Sequence, residues 1–444
     1  MRYPRLVIAA PKSGSGKTMF TMGLLRALQK KNRTPCSFKC GPDFIDPMYH
    51  SRVLDIPSKN LDTFFTDKET TLRLFSHGAK HGDISIIEGV MGYFDGASMT
   101  ATQASTFDVA RTLQADTVLI VDAKGMGRSV LALLKGFLEF HQPSQIKGVI
   151  FNRISAMTYE RLKPMVEEEL HVRVYGFLPQ MDAAAIESRH LGLQLPGELA
   201  DFRKRLERLS DQIVESVDVD GLLSLAQAAP ELPDMEYDFA ALSQLPQTDR
   251  HTTIAVARDE AFCFLYEDNL NVLRAFGRLV FFSPLHDEKL PVQADALLLP
   301  GGYPENYAKQ LSENVSMRES ILRFAQAGGK VLAECGGFLY LMKTLTLADD
   351  SMYPMVGLID ADGFWTGRLG RFGYIELEGD DAKPLIRGHE FHYFDTTDNG
   401  GAFIARKPYQ DRAWECMHRS ATLLAGFPHL YYPSNPDVIR KFLS

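Results

Sequence analysis

Long apolar runs, cysteine and surplus positive charge are all scarce in this sequence. No apolar stretch reaches the roughly 20 residues that span a bilayer. The apolar run within residues 1–11 is too short for a secretory leader with its cleavage site. Five cysteines, an odd number without regular spacing in 444 residues, speak against a disulfide framework and for a reducing, cytoplasmic setting. Cys36 and Cys40 have no second Cys/His pair in the zinc window, so they read as packing residues. Lys and Arg number 48 against 56 Asp and Glu, a net charge of −8. That balance argues against a general nucleic-acid binder, although a local Arg/Lys cluster can still serve an anionic substrate. No repeat or low-complexity tract interrupts the chain.

What is present is the profile of a globular protein, 45% hydrophobic and 23% charged, long enough for two or three domains. Short β-type runs at residues 6–10, 84–87, 117–121 and 148–151 alternate with helical patterns such as residues 18–30 and 129–140. That alternation implies βαβ units and a mostly parallel sheet flanked by helices. The period breaks over residues 228–251, rich in Pro and Asp. It restarts with runs at 253–257, 279–282, 296–299 and 330–333, followed by a strand-rich tail over residues 355–429. The expectation is an α/β chain of two such domains, residues 1–230 and 251–444, joined by a linker at 231–250.

Residues 7–18 read VIAAPKSGSGKT. A strand enters a Gly/Ser loop and Gly16-Lys17-Thr18 opens a helix. Gly14 and Gly16 permit close approach of a polyphosphate, and the N–H groups of Ser13, Ser15 and their neighbours point inward. Helix N-terminal amides add partial positive charge. Lys17 is placed to reach the β- and γ-phosphates of ATP and Thr18 to hold Mg²⁺. The usual phosphate loop opens on Gly, and this chain has Pro11 there.

Three acidic stretches follow. Asp43 and Asp46 lie in KCGPDFIDP, and Glu88 ends the run ISIIE, with Asp95 shortly after. An acid at the C-terminal end of a strand lies where open α/β sheets bind ligands, which makes Glu88 a Mg²⁺ ligand candidate. Asp43, Asp46 and Asp95 are candidates to orient metal, phosphate or an acyl group. The competing reading for each is a turn residue beside Gly or Pro. Asn152-Arg153 suits contact with a nucleotide base or, equally, a helix cap. Arg189-His190 reads more simply as a surface pair.

In the second half, ALLLPGGY at 296–303 and KVLAECGGFLYL at 330–341 each end a buried run in paired glycines. Cys335 on a sharp strand-to-helix turn would be an exposed nucleophile, its thiol pKa lowered by helix amides. Gly302 and Gly336 could supply two oxyanion donors. A thiol needs a base. His429 in GFPHLYYPSNP is preferred over His389 and His392 in GHEFHYFD. The competing reading of Cys335 is a small core residue.

The blocks APKSGSGKT, KCGPDFIDPMYH, SKNLD, EGVMGYFDG, RHLGL, AFCFLYEDNL, FFSPLHDEKLP, LPGGYPE, AECGGFLYLM and GHEFHY, with the His429 segment, run in order along nearly the whole chain. Together they resemble the cobyrinic acid a,c-diamide synthase family. The resemblance implies a dethiobiotin-synthetase-like P-loop domain followed by a class I glutamine amidotransferase domain. It also implies ATP- and glutamine-dependent amidation of the a and c acetate carboxylates of a corrin-type tetrapyrrole through an acyl phosphate, in cobalamin biosynthesis, with Mg²⁺ accompanying ATP. Ser13 to Thr18 and Asn152 are the ATP-binding candidates; carried over, Lys17 and Thr18 fall on ATP positions, and Thr18, Glu88 and Asp43 on metal positions. Asp46 and Asp95 fall on substrate-activation positions, Cys335 on the nucleophile and His429 on its base. Many class I amidotransferases place Glu two residues after the His, where this chain has Tyr431. The orienting acid is therefore elsewhere, and Glu334 is one candidate.

Hydrogenobyrinic acid and nickel-sirohydrochlorin a,c-diamide synthases share the pattern, and cobyric acid synthase is a more distant relative. A nucleotide-switch protein of the partition-ATPase type is the alternative from another class. Pro11 and the attached Cys–His half speak against it. The expected partners are L-glutamine and the tetrapyrrole, without nucleic acid or membrane. A homodimer is compatible with the sequence.

Overall fold

The computed structural model describes residues 1–181, 188–189, 192–193, 202–244, 252–379 and 384–444. They divide into two compact units, Met1–Tyr237 and Asp238–Ser444. The first seven strands and six helices alternate: β1 (Arg5–Ala9), α1 (Lys17–Lys30), β2 (Pro35–Cys40), α2 (Ile45–Leu54), β3 (Ser58–Leu61), α3 (Lys68–Ala79), β4 (Ile84–Glu88), α4 (Thr106–Thr112), β5 (Thr117–Asp122), α5 (Ser129–Glu139), β6 (Ile146–Asn152), α6 (Ala156–Leu170) and β7 (Arg173–Leu178). The strands form one parallel sheet in the order β3-β2-β4-β1-β5-β6-β7. Helices cover both faces, so β1 and β4 are buried at every position and carry apolar residues without alternation. Asp67, Ser105 and Ser155 start α3, α4 and α6 by accepting an N–H in the first turn.

The chain runs outward from β1 to β2 and β3, returns to β4, and crosses β1 to reach β5. The C-terminal ends of β1, β2 and β4 therefore share one rim, the crevice where such sheets bind ligands. A short antiparallel pair joins β8 (Ser188–Arg189) to β9 (Gly192–Leu193). The expected Arg189-His190 pair lies outside the described residues, His190 wholly and Arg189 in its side chain. Two further helices, α7 (Phe202–Ser216) and α8 (Val219–Gln227), complete the unit. At Gly23 of α1 a Cβ would lie 2.6 Å from Ile213 of α7, so glycine sets the approach of the two helices. Leu232, in the span expected as linker, is buried in the first unit's core. Ala240–Gln244 makes a 3₁₀ turn in the second unit.

The second unit builds β10 (Thr253–Ala257), α9 (Glu267–Phe276), β11 (Arg278–Phe282), β12 (Ala296–Leu299), α10 (Ala308–Glu313), α11 (Val315–Gln326), β13 (Lys330–Glu334) and α12 (Gly336–Tyr340). Its central sheet runs β11-β10-β12-β13 and then Leu423–Gly426, all parallel, with His418–Arg419 antiparallel at the edge. The tail adds a five-stranded antiparallel sheet, in which Pro384–Phe391 pairs with Phe372–Glu378 and with His429–Leu430. Among the described residues no helix is long and apolar enough to cross a membrane.

Candidate active sites

At the rim of the first sheet, the loop after β1 reverses through Gly14 and Gly16, with φ of 75° and 96°. Both lie in the region that favours glycine. A Cβ at Gly16 would also meet Asn152 Nδ2 at 2.3 Å, because that amide donates to Ser15 O at 2.9 Å. Asn152 thus braces the loop from the end of β6. Its neighbour Arg153 is held by both carboxylate oxygens of Asp122. Ser15 Oγ donates to Lys12 O, and Ser13 is exposed at the loop tip.

Lys17 starts α1 and is buried, its Nζ donating to Met91 O at 2.5 Å. Burial, reinforced by nearby Lys39, pushes its ammonium down to about 8. Thr18 Oγ1 donates to Glu88 Oε1 at 2.6 Å and approaches Asp46 Oδ2 at 3.2 Å. Strand register sets Lys39 of β2 opposite Glu88 of β4. Lys39 Nζ contacts Glu88 Oε1 at 2.9 Å, Gly89 O at 3.2 Å and Asp43 Oδ2 at 3.7 Å, and donates to Asp46. Behind them His50 Nε2 stands 3.5 Å from Glu88 Oε2, while its Nδ1 meets Ser37 Oγ at 2.7 Å.

Burial, the largest single influence, would raise the Glu88 carboxyl, but Lys39, His50 and Asp46 together outweigh it and hold Glu88 below the usual carboxylate range. Asp46 is pushed up by burial and by the charges of Asp43 and Glu88. The structure thus brings Thr18, Asp43, Asp46 and Glu88 around one ammonium. Asp43 is partly spent locally, since its Oδ1 accepts Ile45 N at 2.8 Å and Asp46 N at 3.2 Å to start α2. Asp95 accepts Gly92 N at 2.8 Å and so fixes the loop after β4, whose Tyr93 N donates to Ala10 O beside the phosphate loop.

Among the described residues, no group of three or more His, Cys, Asp or Glu side chains is arranged as a metal site. The residues nevertheless fit Mg²⁺ accompanied by phosphate. That ion keeps several waters and takes one or two carboxylates beside phosphate oxygens. Glu88, Asp46 and the Thr18 hydroxyl are such hard oxygen donors, and Glu88 Oε2 is buried without a hydrogen bond.

In the second unit, β13 ends at Glu334 and α12 begins at Gly336. Cys335 between them takes φ 46° and ψ −104°, a strained turn for a residue with a side chain. Cys335 N donates to Gly426 O at 2.8 Å. A Cβ on Gly336 would lie 3.0 Å from Gly302 N, so the two expected oxyanion donors are neighbours. A Cβ on Gly301 would strike the His429 ring at 2.2 Å. The Gly301-Gly302 turn is therefore packed against His429 on one side and the Cys335 turn on the other.

The expected lowering of the thiol pKa is not found. Burial pushes the Cys335 thiol up, with Glu305 and Glu390 adding to it. Cys335 is only 6% exposed, and α12 is five residues long, too short to offset that desolvation. The thiol is thus protonated at rest and needs a base. Burial pushes His429 down to about 3, helped by His392, so its ring is neutral and able to accept a proton.

The competing histidines are engaged differently. His389 stands opposite His429 in the strand pair and stacks on it, centroids 4.8 Å apart and 16° between planes. His392 faces acceptors on both ring nitrogens, Phe394 O at 2.6 Å and Glu390 Oε2 at 3.0 Å. Glu334 accepts from Tyr432 Oη at 2.9 Å, and burial pushes it up to about 8. Tyr431 Oη lies 3.4 Å from Asp268 Oδ2. The sequence reading did not single out Lys39, His50, Glu305 or Glu390. For Lys39 the available signal was a lysine closing a buried strand run.

Comparison with known proteins adds two family matches. The CobQ/CobB/MinD/ParA nucleotide binding domain covers residues 6–193, and the CobB/CobQ-like glutamine amidotransferase domain covers residues 253–432. Among curated proteins, cobyrinate a,c-diamide synthase of Caldanaerobacter subterraneus subsp. tengcongensis is 37% identical, over 98% of this chain and 97% of that protein. The enzyme of the same name from Thermoplasma volcanium is 38% identical over 100% and 97%. That from Listeria innocua is 36% identical over 98% of each.

Proposed function

The chain belongs to the cobyrinate a,c-diamide synthase family, and from that premise we propose that it converts the a and c acetate carboxylates of a corrin-type ring into carboxamides, using ATP and glutamine. Membership makes it a glutamine-hydrolysing ligase with a nucleotide-binding domain. The observation that carries the reading is the Cys335 turn, held at φ 46° with Gly302 N and the His429 ring packed around one glycine pair. A nucleotide switch has no use for such a nucleophile.

A carboxylate is a poor electrophile at neutral pH, and phosphorylation gives it a leaving group. Lys17 faces the phosphates and neutralises charge that builds during transfer. Thr18 and Glu88, with Asp46, would hold Mg²⁺, and Lys39 keeps the surrounding acids balanced. The metal, when bound, screens phosphate charge and polarises the phosphoryl group. Asp43 and Asp95 fix the loops that frame the acyl group.

At the other site His429 takes the thiol proton as Cys335 attacks the glutamine amide, then passes it to the departing ammonia. The N–H groups of Gly302 and Gly336 receive the oxyanion. Hydrolysis of the thioester frees glutamate, and the ammonia attacks the acyl phosphate. Making ammonia on the protein keeps it unprotonated, which free ammonia at neutral pH mostly is not. The test is product mass after incubation with tetrapyrrole carboxylates, ATP and glutamine. One ring should gain two amides, whereas glutamine hydrolysis with no amidated ring would overturn the reading.

A further inference from the structure

Three acidic side chains act on the Cys335 thiol, Glu305 ahead of Glu390 and Glu334. Two of them are spent within the fold. Glu334 accepts from Tyr432 Oη at 2.9 Å, and Glu390 accepts from Trp414 Nε1 at 3.1 Å. Glu305 receives only its own backbone N–H, and among the described residues no other hydrogen bond or ion pair reaches its side chain. We propose that Glu305 binds the α-ammonium group of glutamine and so determines which amide the glutaminase site accepts. The proposal rests on reading Cys335 as the nucleophile.

The backbone carries Glu305 to the site. It follows the Gly301-Gly302 turn directly, in the 3₁₀ turn Pro304–Tyr307. Tyr303 N donates to Ala261 O at 2.9 Å and fixes the approach to that turn. Pro304 then packs on the nucleophile side, where a Cβ on Gly336 would lie 2.8 Å from Pro304 Cδ. Glu305 therefore comes immediately after a contact with the turn that holds Cys335. The residue is half-buried, so it keeps a face that a ligand can reach.

Glutamine suits that position. Its amide carbon meets Cys335 with the amide oxygen toward Gly302 N and Gly336 N. The α-nitrogen is then four bonds from the carbon under attack, about 5 Å when extended. It carries the substrate's one positive charge. No lysine or arginine of the described residues perturbs the Glu305 carboxyl, which desolvation pushes up to about 7. An acid held away from water without a cation gains from one, because opposite charge favours its ionised form. The resulting charge-assisted hydrogen bond is stronger than a neutral one. An amide that lacks the ammonium would leave the carboxylate desolvated and unpaired, which is the basis for rejecting it.

Binding without turnover gives the direct test. The full chain carrying Cys335→Ala is titrated by calorimetry at pH 8 with glutamine and with glutaramate, which is glutamine without its α-amino group. Adding Glu305→Gln should weaken glutamine roughly tenfold or more, while glutaramate binds as before. Unchanged affinity for glutamine, or equal losses for the two ligands, would overturn the proposal. A Cys335→Ala protein that binds neither ligand would overturn the glutaminase reading itself, and the proposal with it. A second test follows steady-state glutamine hydrolysis with Cys335 intact. Glu305→Gln should raise KM and leave kcat near that of the natural chain, as loss of a contact made equally in ground and transition states does. Glu305→Asp keeps the charge and should retain part of the preference for glutamine over glutaramate. A lower kcat at unchanged KM would make Glu305 a proton carrier and contradict the binding role.

Discussion

At the scale of single residues, burial rather than local sequence decides the protonation of the candidate glutaminase groups. His429 is the clearest case, pushed down to about 3 inside the fold against an ordinary 6.5 in the open chain. Above pH 6.5 neither state carries the proton, so stability is unaffected. Below it the unfolded chain takes up the proton first, and stability is lost as pH falls from 6.5 toward 3. At pH 5 this one ring should cost about 2 kcal/mol. Denaturant unfolding of the amidotransferase unit at pH 8 and pH 5 should show that loss in the natural chain and a smaller one in His429→Gln. Equal acid losses in the two proteins would contradict the assignment. The same depressed pKa leaves the ring free to act as a base at neutral pH.

At the scale of elements, the candidate nucleotide site is a product of strand register. β4 ends in Glu88 because its partner β2 places Lys39 directly opposite, and α1 begins where Thr18 reaches the same carboxylate. Glu88→Gln keeps the shape and removes the charge. It should lower amidation by roughly 10- to 100-fold with glutamine and with ammonia alike, measured as steady-state rates with each nitrogen source. A normal rate with ammonia would remove Glu88 from the site. The phosphate loop was legible in the sequence because its glycines, lysine and threonine lie within six consecutive residues. The role of Lys39 was not, because its partner is 49 positions away and only sheet pairing joins them. The glycine turns at 301–302 and 336–337 were legible for the same local reason as the phosphate loop. The state of Cys335 was misread because the length of α12 and the depth of burial are tertiary facts. The two-residue strand His429–Leu430 carries too little periodicity to reveal that it brings His429 onto His389.

At the scale of the whole molecule, two α/β units in one chain supply the two things amide formation lacks in water, an activated carboxyl and an unprotonated nitrogen. Neither unit suffices for the glutamine-driven reaction, since a P-loop cannot free ammonia and a thiol cannot activate a carboxylate. The most direct measurement is therefore amidation by Cys335→Ala, assayed in parallel with glutamine and with ammonium salt. Glutamine-driven amidation should fall roughly a thousandfold or more, while the ammonia-driven rate stays near that of the natural chain. A well-folded Cys335→Ala protein that still uses glutamine, or that loses the ammonia-driven reaction as well, would contradict the division of labour between the two sites.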